Sequence, residues 1–429
     1  MKKSMKIAVA ALVAFVILGT WAVGFAIAEA DKTSSAEAAS TVVQAQTLSS
    51  GTALASGTVT AGTPIYDQSE LFTDRDLVQT ADLTEAVTYA VADGQDITIT
   101  EAGVYVLTGQ AKDVTVYVAA DKEDKVQLVL DGLAITNGDA PAIYVKSADK
   151  VFVTTAADSA LAVTGAFLSD GDTHTDGVIF SKSDLVLNGT ATLTVTSSEN
   201  GIVGKDDLKI TGGTYLVSAQ SKAIEANDSI RIADGVFELT AGTDGLHAEN
   251  DDDDTTGYIY LGGGTFTIQA GDDGLHATAV IQVDDGELTI AAAEGIEATY
   301  VQLNGGTIAI SSWDDGINAA QKSKAYRATV EINGGDITIA MGAGDTDGVD
   351  SNGDILINGG TVSVTGNSTF DYDGTAQYNG GTIIANGQQI AYIPNQMMGG
   401  GMMGGGMNGG FGGNGGWGGN GGFGGRRGW

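Results

Sequence analysis

The stretch Val301-Gln302-Leu303-Asn304-Gly305-Gly306-Thr307-Ile308-Ala309-Ile310, followed shortly by Asp315-Gly316-Ile317-Asn318-Ala319, decides the fold. Val301 with Leu303, then Ile308 with Ile310, alternate with polar residues at the period of a strand that buries one face. The Gly-Gly between them suits a turn whose backbone angles a side chain would oppose. A variable corner leads to a third short apolar segment at Ile317.

The same line recurs along the chain. Leu208-Lys209-Ile210-Thr211-Gly212-Gly213, Ile259-Tyr260-Leu261-Gly262-Gly263-Gly264, Val330-Glu331-Ile332-Asn333-Gly334-Gly335 and Ile355-Leu356-Ile357-Asn358-Gly359-Gly360 repeat it. Ile230 and Ile281 open two more, with Asp234 and Asp285 replacing the first glycine, and Leu185 opens a looser one. From Leu208 onwards the starts lie 20 to 29 residues apart. Three strands in about 22 residues fit one turn of a parallel β-helix, in which no turn buries its apolar residues until its neighbours stack on it. Propeller blades need four strands and about 40 residues, and a sandwich would not repeat Gly-Gly at one place in consecutive units. The expected fold is all-β, a right-handed parallel β-helix, with insertions at 249–257 and 321–329 looping outward. Only residues 77–92 read as a weak amphipathic helix.

Aligning the third strands yields an acidic column: Asp176, Asn200, Lys222, Asp244, Asp273, Glu294, Asp315 and Asp347. Glycine follows each of them except Lys222. Three residues further on runs a second column: Ile179, Val203, Glu225, His247, His276, Glu297, Asn318 and Asp350. Column residue, glycine and second-column residue are expected on the outer side, the glycine leaving room for a ligand. One Asp-Gly is an ordinary turn signal; a register of them is not. Like charges stacked about 5 Å apart repel by roughly 3 kcal/mol per pair at an effective dielectric of 20. A hard divalent cation relieves that, and calcium, which takes six to eight oxygens, suits the set better than magnesium. The candidate metal ligands are Asp244, Asp272, Asp273, Glu294, Glu297, Asp314, Asp315, Asp345, Asp347 and Asp350. His247, His276 and Trp313 are candidate sugar contacts. Lys222, inside the column, is the one candidate base if the protein were an enzyme.

Composition agrees. The 429 residues hold 20 Lys+Arg against 54 Asp+Glu, a net charge of -34, and five of the basic residues are confined to the ends (Lys2, Lys3, Lys6, Arg426, Arg427). Such a surface repels phosphate backbones, which excludes nucleic acid as a partner. With no cysteine there are no disulfides, thiolate metal sites or thiol nucleophiles. Three lysines before the apolar run at 7–28, ending Ala26-Ile27-Ala28, read as an export signal. It is long enough to remain as an anchor, the only contact with a membrane that the sequence suggests. The organisation is then 1–28 signal or anchor, 29–65 flexible spacer, 66–395 β-helix and 396–429 a glycine-rich tail, placing the protein outside the cell or on its surface.

The segments Val126-Gln127-Leu128-Val129-Leu130-Asp131-Gly132-Leu133-Ala134-Ile135-Thr136-Asn137 and Pro141-Ala142-Ile143-Tyr144-Val145-Lys146-Ser147-Ala148-Asp149-Lys150, with the Gly-Gly ladder and the Asp-Gly column, carry a resemblance. Over roughly residues 66–395 the chain resembles the carbohydrate-binding-domain family of secreted clostridial β-helix proteins, similar in fold to polysaccharide lyases. The resemblance implies calcium sites on one face and binding of cellulose-like or acidic polysaccharide. The resulting expectation is a monomeric, calcium-holding polysaccharide binder without chemistry of its own. The alternatives are a calcium-dependent lyase on uronic-acid polymers and a structural or adhesive surface protein.

Overall fold

A computed structural model describes residues 59–343 and 346–396. The signal or anchor at 1–28, most of the spacer, Asp345 and the tail from 397 lie outside the described residues.

The repeat forms three columns of parallel strands. In one coil they are Tyr300–Leu303, Thr307–Ser312 and Ile317–Ala319; in the next, Thr329–Ile332, Asp336–Met341 and Asp347–Ser351. Coil pairs with coil in register: Val301 with Val330, Ile308 with Ile337, Ile317 with Val349. The third strands make a 12-stranded sheet, and the first and second strands belong to a 24-stranded one. This is the parallel β-helix that the repeat specifies. Ile230, Ile259, Ile281, Val301, Val330 and Ile355 form one continuous, fully buried row. Beside it Tyr215, Phe237 and Phe266 stack ring on ring at 5.3 and 4.5 Å.

The Gly-Gly corner behaves as the sequence requires. Its second glycine has positive φ, 83° at Gly306 and 87° at Gly335. The residue before the pair adds an asparagine ladder, Asn379 donating to Asn358, Asn358 to Asn333 and Asn333 to Asn304, at 2.8, 2.7 and 2.8 Å.

Four expectations change. Residues 77–92 are not helical: they run through turns into the strand Val87–Ala90, and the one helix among the described residues is Gln68–Leu71. Leu77, Val78, Leu83 and Val87 stay exposed, and only Val91 at the segment's end enters the core. Second, the spacer's last residues are fixed. Gln302 accepts from Ile65 N and donates to Thr63 O (3.1 and 2.9 Å), while Gln282 does both with Tyr66 (2.8 and 2.9 Å). From there the chain runs back along the solenoid as a strap over the outer face of the first strands, reaching Thr211, Asn188 and Phe152 through Gln79, Val78 and Arg75.

Third, the column glycines face inward. A Cβ on Gly274 would lie 2.4 Å from Ile290 Cγ2 and one on Gly316 2.5 Å from Ile339 Cγ2, both core side chains. These glycines let the corner close on the core rather than let a ligand in. Fourth, the first coil of the column is out by one residue. Asn200 pairs with Gly177 and Val203 with Phe180, so Phe180 rather than Ile179 continues the row. The two insertions do loop outward and touch, Ser323 Oγ donating to Asp254 O at 2.6 Å.

Candidate functional site: an acidic ladder on the third sheet face

Because the third strands stack in register, the second column becomes a physical row: Glu225 beside His247, then His276, Glu297, Asn318 and Asp350. The first column runs alongside, tied by backbone. Asp273 N donates to Asp244 Oδ1 (3.2 Å), and Asp347 N to Asp315 Oδ1 (2.9 Å). Asp244, Asp273, Glu225 and Glu297 are buried, at 4 to 8% exposure. Asp272 and Asp314 are exposed at the rim.

The ladder changes character along its length. At its start the chain supplies its own cations. Lys205 Nζ is 2.9 Å and Lys222 Nζ 3.8 Å from the Glu225 carboxylate, which also accepts from Asn200 at 2.8 Å. Burial opposes the Glu225 charge, but these partners prevail and hold its carboxyl below the usual range. In the middle, His247 Nδ1 lies 2.8 Å from Asp244, and the His247 and His276 rings stack at 4.6 Å. His276 Nδ1 faces both Asp273 and Glu297, and Lys322 reaches Glu297 at 3.0 Å. Burial works against a charged His276, yet the hydrogen bonds to Asp273 and Glu297 push it up to about 9. One ligand atom from each of Asp273, His276 and Glu297 lies within 4.8 Å of the others, close enough to share a metal ion.

One coil further the compensation stops. Among the described residues no ion pair reaches Glu294, Asp315, Asp347 or Asp350. Burial, then the neighbouring Glu297, pushes Glu294 up to about 8. Burial with Asp347 and Asp314 takes Asp315 to about 6, and burial with Asp315 and Asp347 takes Asp350 to about 7. Asn318 donates Nδ2 to Glu294 Oε2 at 3.0 Å, while its Oδ1 is buried without a hydrogen-bond partner. This all-oxygen set has the chemistry a hard cation needs.

The structure thus brings Asp244, Asp273, Glu294, Glu297, Asp315, Asp347 and Asp350 into one ladder. His247 and His276 belong to it as partners of carboxylates, with little surface left for a sugar. Trp313 is 54% exposed at the corner before Asp314 and Asp315, where the next coil offers only the bare Gly342. Tyr258, Tyr260 and Tyr300 do not join it. They lie on the first strands, Tyr258 stacked on Tyr66 and Tyr260 packed against Phe72 of the strap. Lys222 lines an open cavity of about 490 Å³ with Lys205, Glu225, His247 and the acidic loop at 251–253. Sequence reasoning missed the other half of the row, where Tyr117, Tyr144 and Phe180 follow one another in register, tilted or edge to face, with Lys146 over the first two rings and Lys205 over the third. Its signal was the middle residue of each third strand, read only from Asp176 onward.

A family model described as carbohydrate-binding domain-containing protein matches residues 93–346 and, overlapping, 296–390. A carbohydrate-binding domain-containing protein of Acetivibrio thermocellus is 37% identical over 130 residues, 29% of this chain and 46% of that one. The match therefore spans about half of that relative's length. Among solved structures, the gadolinium derivative of a polysaccharide lyase-like protein from C. thermocellum is similar, with 28% identity and a TM-score of 0.43. That alignment covers 52% of this chain and 93% of the other.

Proposed function

The chain belongs to the carbohydrate-binding-domain family, and from that premise we propose that it is an exported, calcium-dependent binder of acidic or cellulose-like polysaccharide that performs no chemistry. Asp273, His276 and Glu297, whose ligand atoms already lie within 4.8 Å of one another, would hold a cation, and the neighbouring oxygen-only residues Glu294, Asp315, Asn318, Asp347 and Asp350 would favour calcium there. A bound ion whose coordination the protein leaves incomplete can accept carboxylate or hydroxyl oxygens from a sugar, and the exposed Trp313 indole offers an apolar face for its ring. The observation that carries this reading is that Glu294, Asp315, Asp347 and Asp350 are half-buried and, among the described residues, have no ion-pair partner. Affinity electrophoresis through alginate, polygalacturonate and hydroxyethylcellulose tests it. Retardation in calcium that EDTA strongly reduces is expected; equal mobility in all gels with calcium present would overturn it.

The Lys222 cavity favours a second reading, a lyase that takes a proton beside a uronate with Lys222 as base. Glu225, 3.8 Å away, already pairs with Lys222 as a counter-ion, which works against it. Ultraviolet-absorbing unsaturated product from polygalacturonate, lost in Lys222→Ala, would establish that reading.

A further inference from the structure

The middle residues of successive first strands, Lys209, Arg231, Tyr260, Gln282, Gln302 and Glu331, are register partners and face outward. A polar, charged and aromatic row of this kind is ordinarily wet. Here Tyr260, Gln282, Gln302 and Glu331 are fully buried and Lys209 is 7% exposed, because the strap at residues 62–79 lies along them.

The strap's deepest group is a carboxylate. Asp76 has no exposed surface. Its Oδ2 lies 3.2 Å from Lys209 Nζ and accepts from Thr73 N at 3.0 Å. Its Oδ1 has only Lys150 Nζ, 3.5 Å away, and makes no hydrogen bond. Four residues earlier Phe72 packs on Tyr260, with Lys209 Nζ 6.0 Å from its ring. Holding a clamp shut does not call for this chemistry. Burying an ion pair costs desolvation that a well-packed apolar contact avoids, so apolar replacements are often as stable or more so. An imperfectly satisfied carboxylate between two lysines is better suited to exchange than to permanence.

We propose that this row is a second glycan surface, for an anionic polysaccharide, which the chain's own strap keeps closed. The Asp76 carboxylate occupies the place of a ligand carboxylate and the Phe72 ring that of an apolar sugar face. Lifting the strap leaves Lys209 without the carboxylate that pairs with it here, and Lys150 with only Asp184 at 3.8 Å, so the Lys150–Lys209 end of the opened face, remote from Glu331 and beyond the Arg231–Asp207 pair, attracts a negative polymer. A ligand competing with the strap binds more weakly by the fraction of molecules in which the strap is open, and a weakened latch removes that handicap. The proposal rests on the family's carbohydrate binding but not on the calcium ladder.

The test uses the full chain in EDTA, where binding through the ladder is absent. Asp76→Ala should tighten retention on polygalacturonate by about tenfold or more without retention on neutral hydroxyethylcellulose, and adding Lys209→Gln should cancel the gain. In the unaltered protein, oligogalacturonate should accelerate tryptic cleavage at the exposed Arg75 as it displaces the strap. Unchanged retention of a folded Asp76→Ala protein would overturn the proposal, as would Arg75 cleavage indifferent to oligogalacturonate. If Asp76→Ala does not fold, the cleavage rate decides alone. Acceleration by polyglutamate and not by oligogalacturonate would make the face a peptide site and equally overturn it. Failure of the calcium-dependent reading appears separately, as absent retention of the unaltered protein in calcium.

Discussion

Asn318 donates its side-chain amide to Glu294 at 3.0 Å and leaves its own carbonyl oxygen buried without a partner. A buried amide oxygen left without a donor beside carboxylates is a group that a bound cation would satisfy. The relationship marks where the ladder passes from carboxylates neutralised by the protein to carboxylates that are not.

Metal-free stability should fall as pH rises from about 5 to 8.5. Glu294, Asp350 and Asp315 have folded values of about 8, 7 and 6, against 4.5 and 3.8 for ordinary Glu and Asp. Over that window the folded chain holds protons that the unfolded chain has released, so stability decreases with pH. His276, raised to about 9, acts in the same direction. Groups held low, such as Asp244 and Glu225, have made their contribution by the bottom of the window. Melting in EDTA should show a drop of several degrees across it, and millimolar calcium should flatten the slope.

Removing one uncompensated carboxylate should have opposite effects with and without metal. Asp347→Asn or Glu294→Gln relieves repulsion in the metal-free protein and raises its Tm by a few degrees, about 1 kcal/mol for a domain of this kind. The same change should shrink the calcium-induced rise in Tm. Scanning fluorimetry of both forms checks the sign reversal.

The inward glycines should be intolerant for reasons of space. Gly274→Ala places a methyl 2.4 Å from Ile290 Cγ2 and 2.5 Å from Gly295 O, an overpacking worth about 1–3 kcal/mol or more. Urea unfolding should report that loss. A variant of undiminished stability would mean that the glycine serves a ligand after all.

Trp313→Ala should weaken polysaccharide retention while leaving Tm within about a degree, because the indole is half exposed and the core does not depend on it. A large loss of Tm with normal retention would make Trp313 a structural residue.

Periodicity made the solenoid legible. Val301, Ile308 and Ile317 each recur in register because only stacking buries them, and the Asp-Gly column inherits that register. What stayed hidden depends on orientation at corners and on contacts remote in sequence. Gly274 reads the same whether its bare Cα faces water or Ile290. Phe180 enters the row only because its coil starts one residue later. The strap was invisible because Gln282 and Gln302 read as ordinary outward residues of a half-buried sheet, and nothing near them in sequence announces a partner more than two hundred residues away. The change in charge compensation along the ladder needed Lys205 and Lys322, which come from neighbouring segments rather than from the column.

Calorimetric titration of calcium into metal-free protein at pH 7.5, in buffers of different ionisation enthalpy, tests the central claim most directly. Saturable binding that releases protons, and that Asp347→Asn combined with Glu294→Gln weakens at least about tenfold, is the expected result. No uptake of calcium at millimolar concentration, with an unchanged melting temperature, would contradict a wall of carboxylates built around metal.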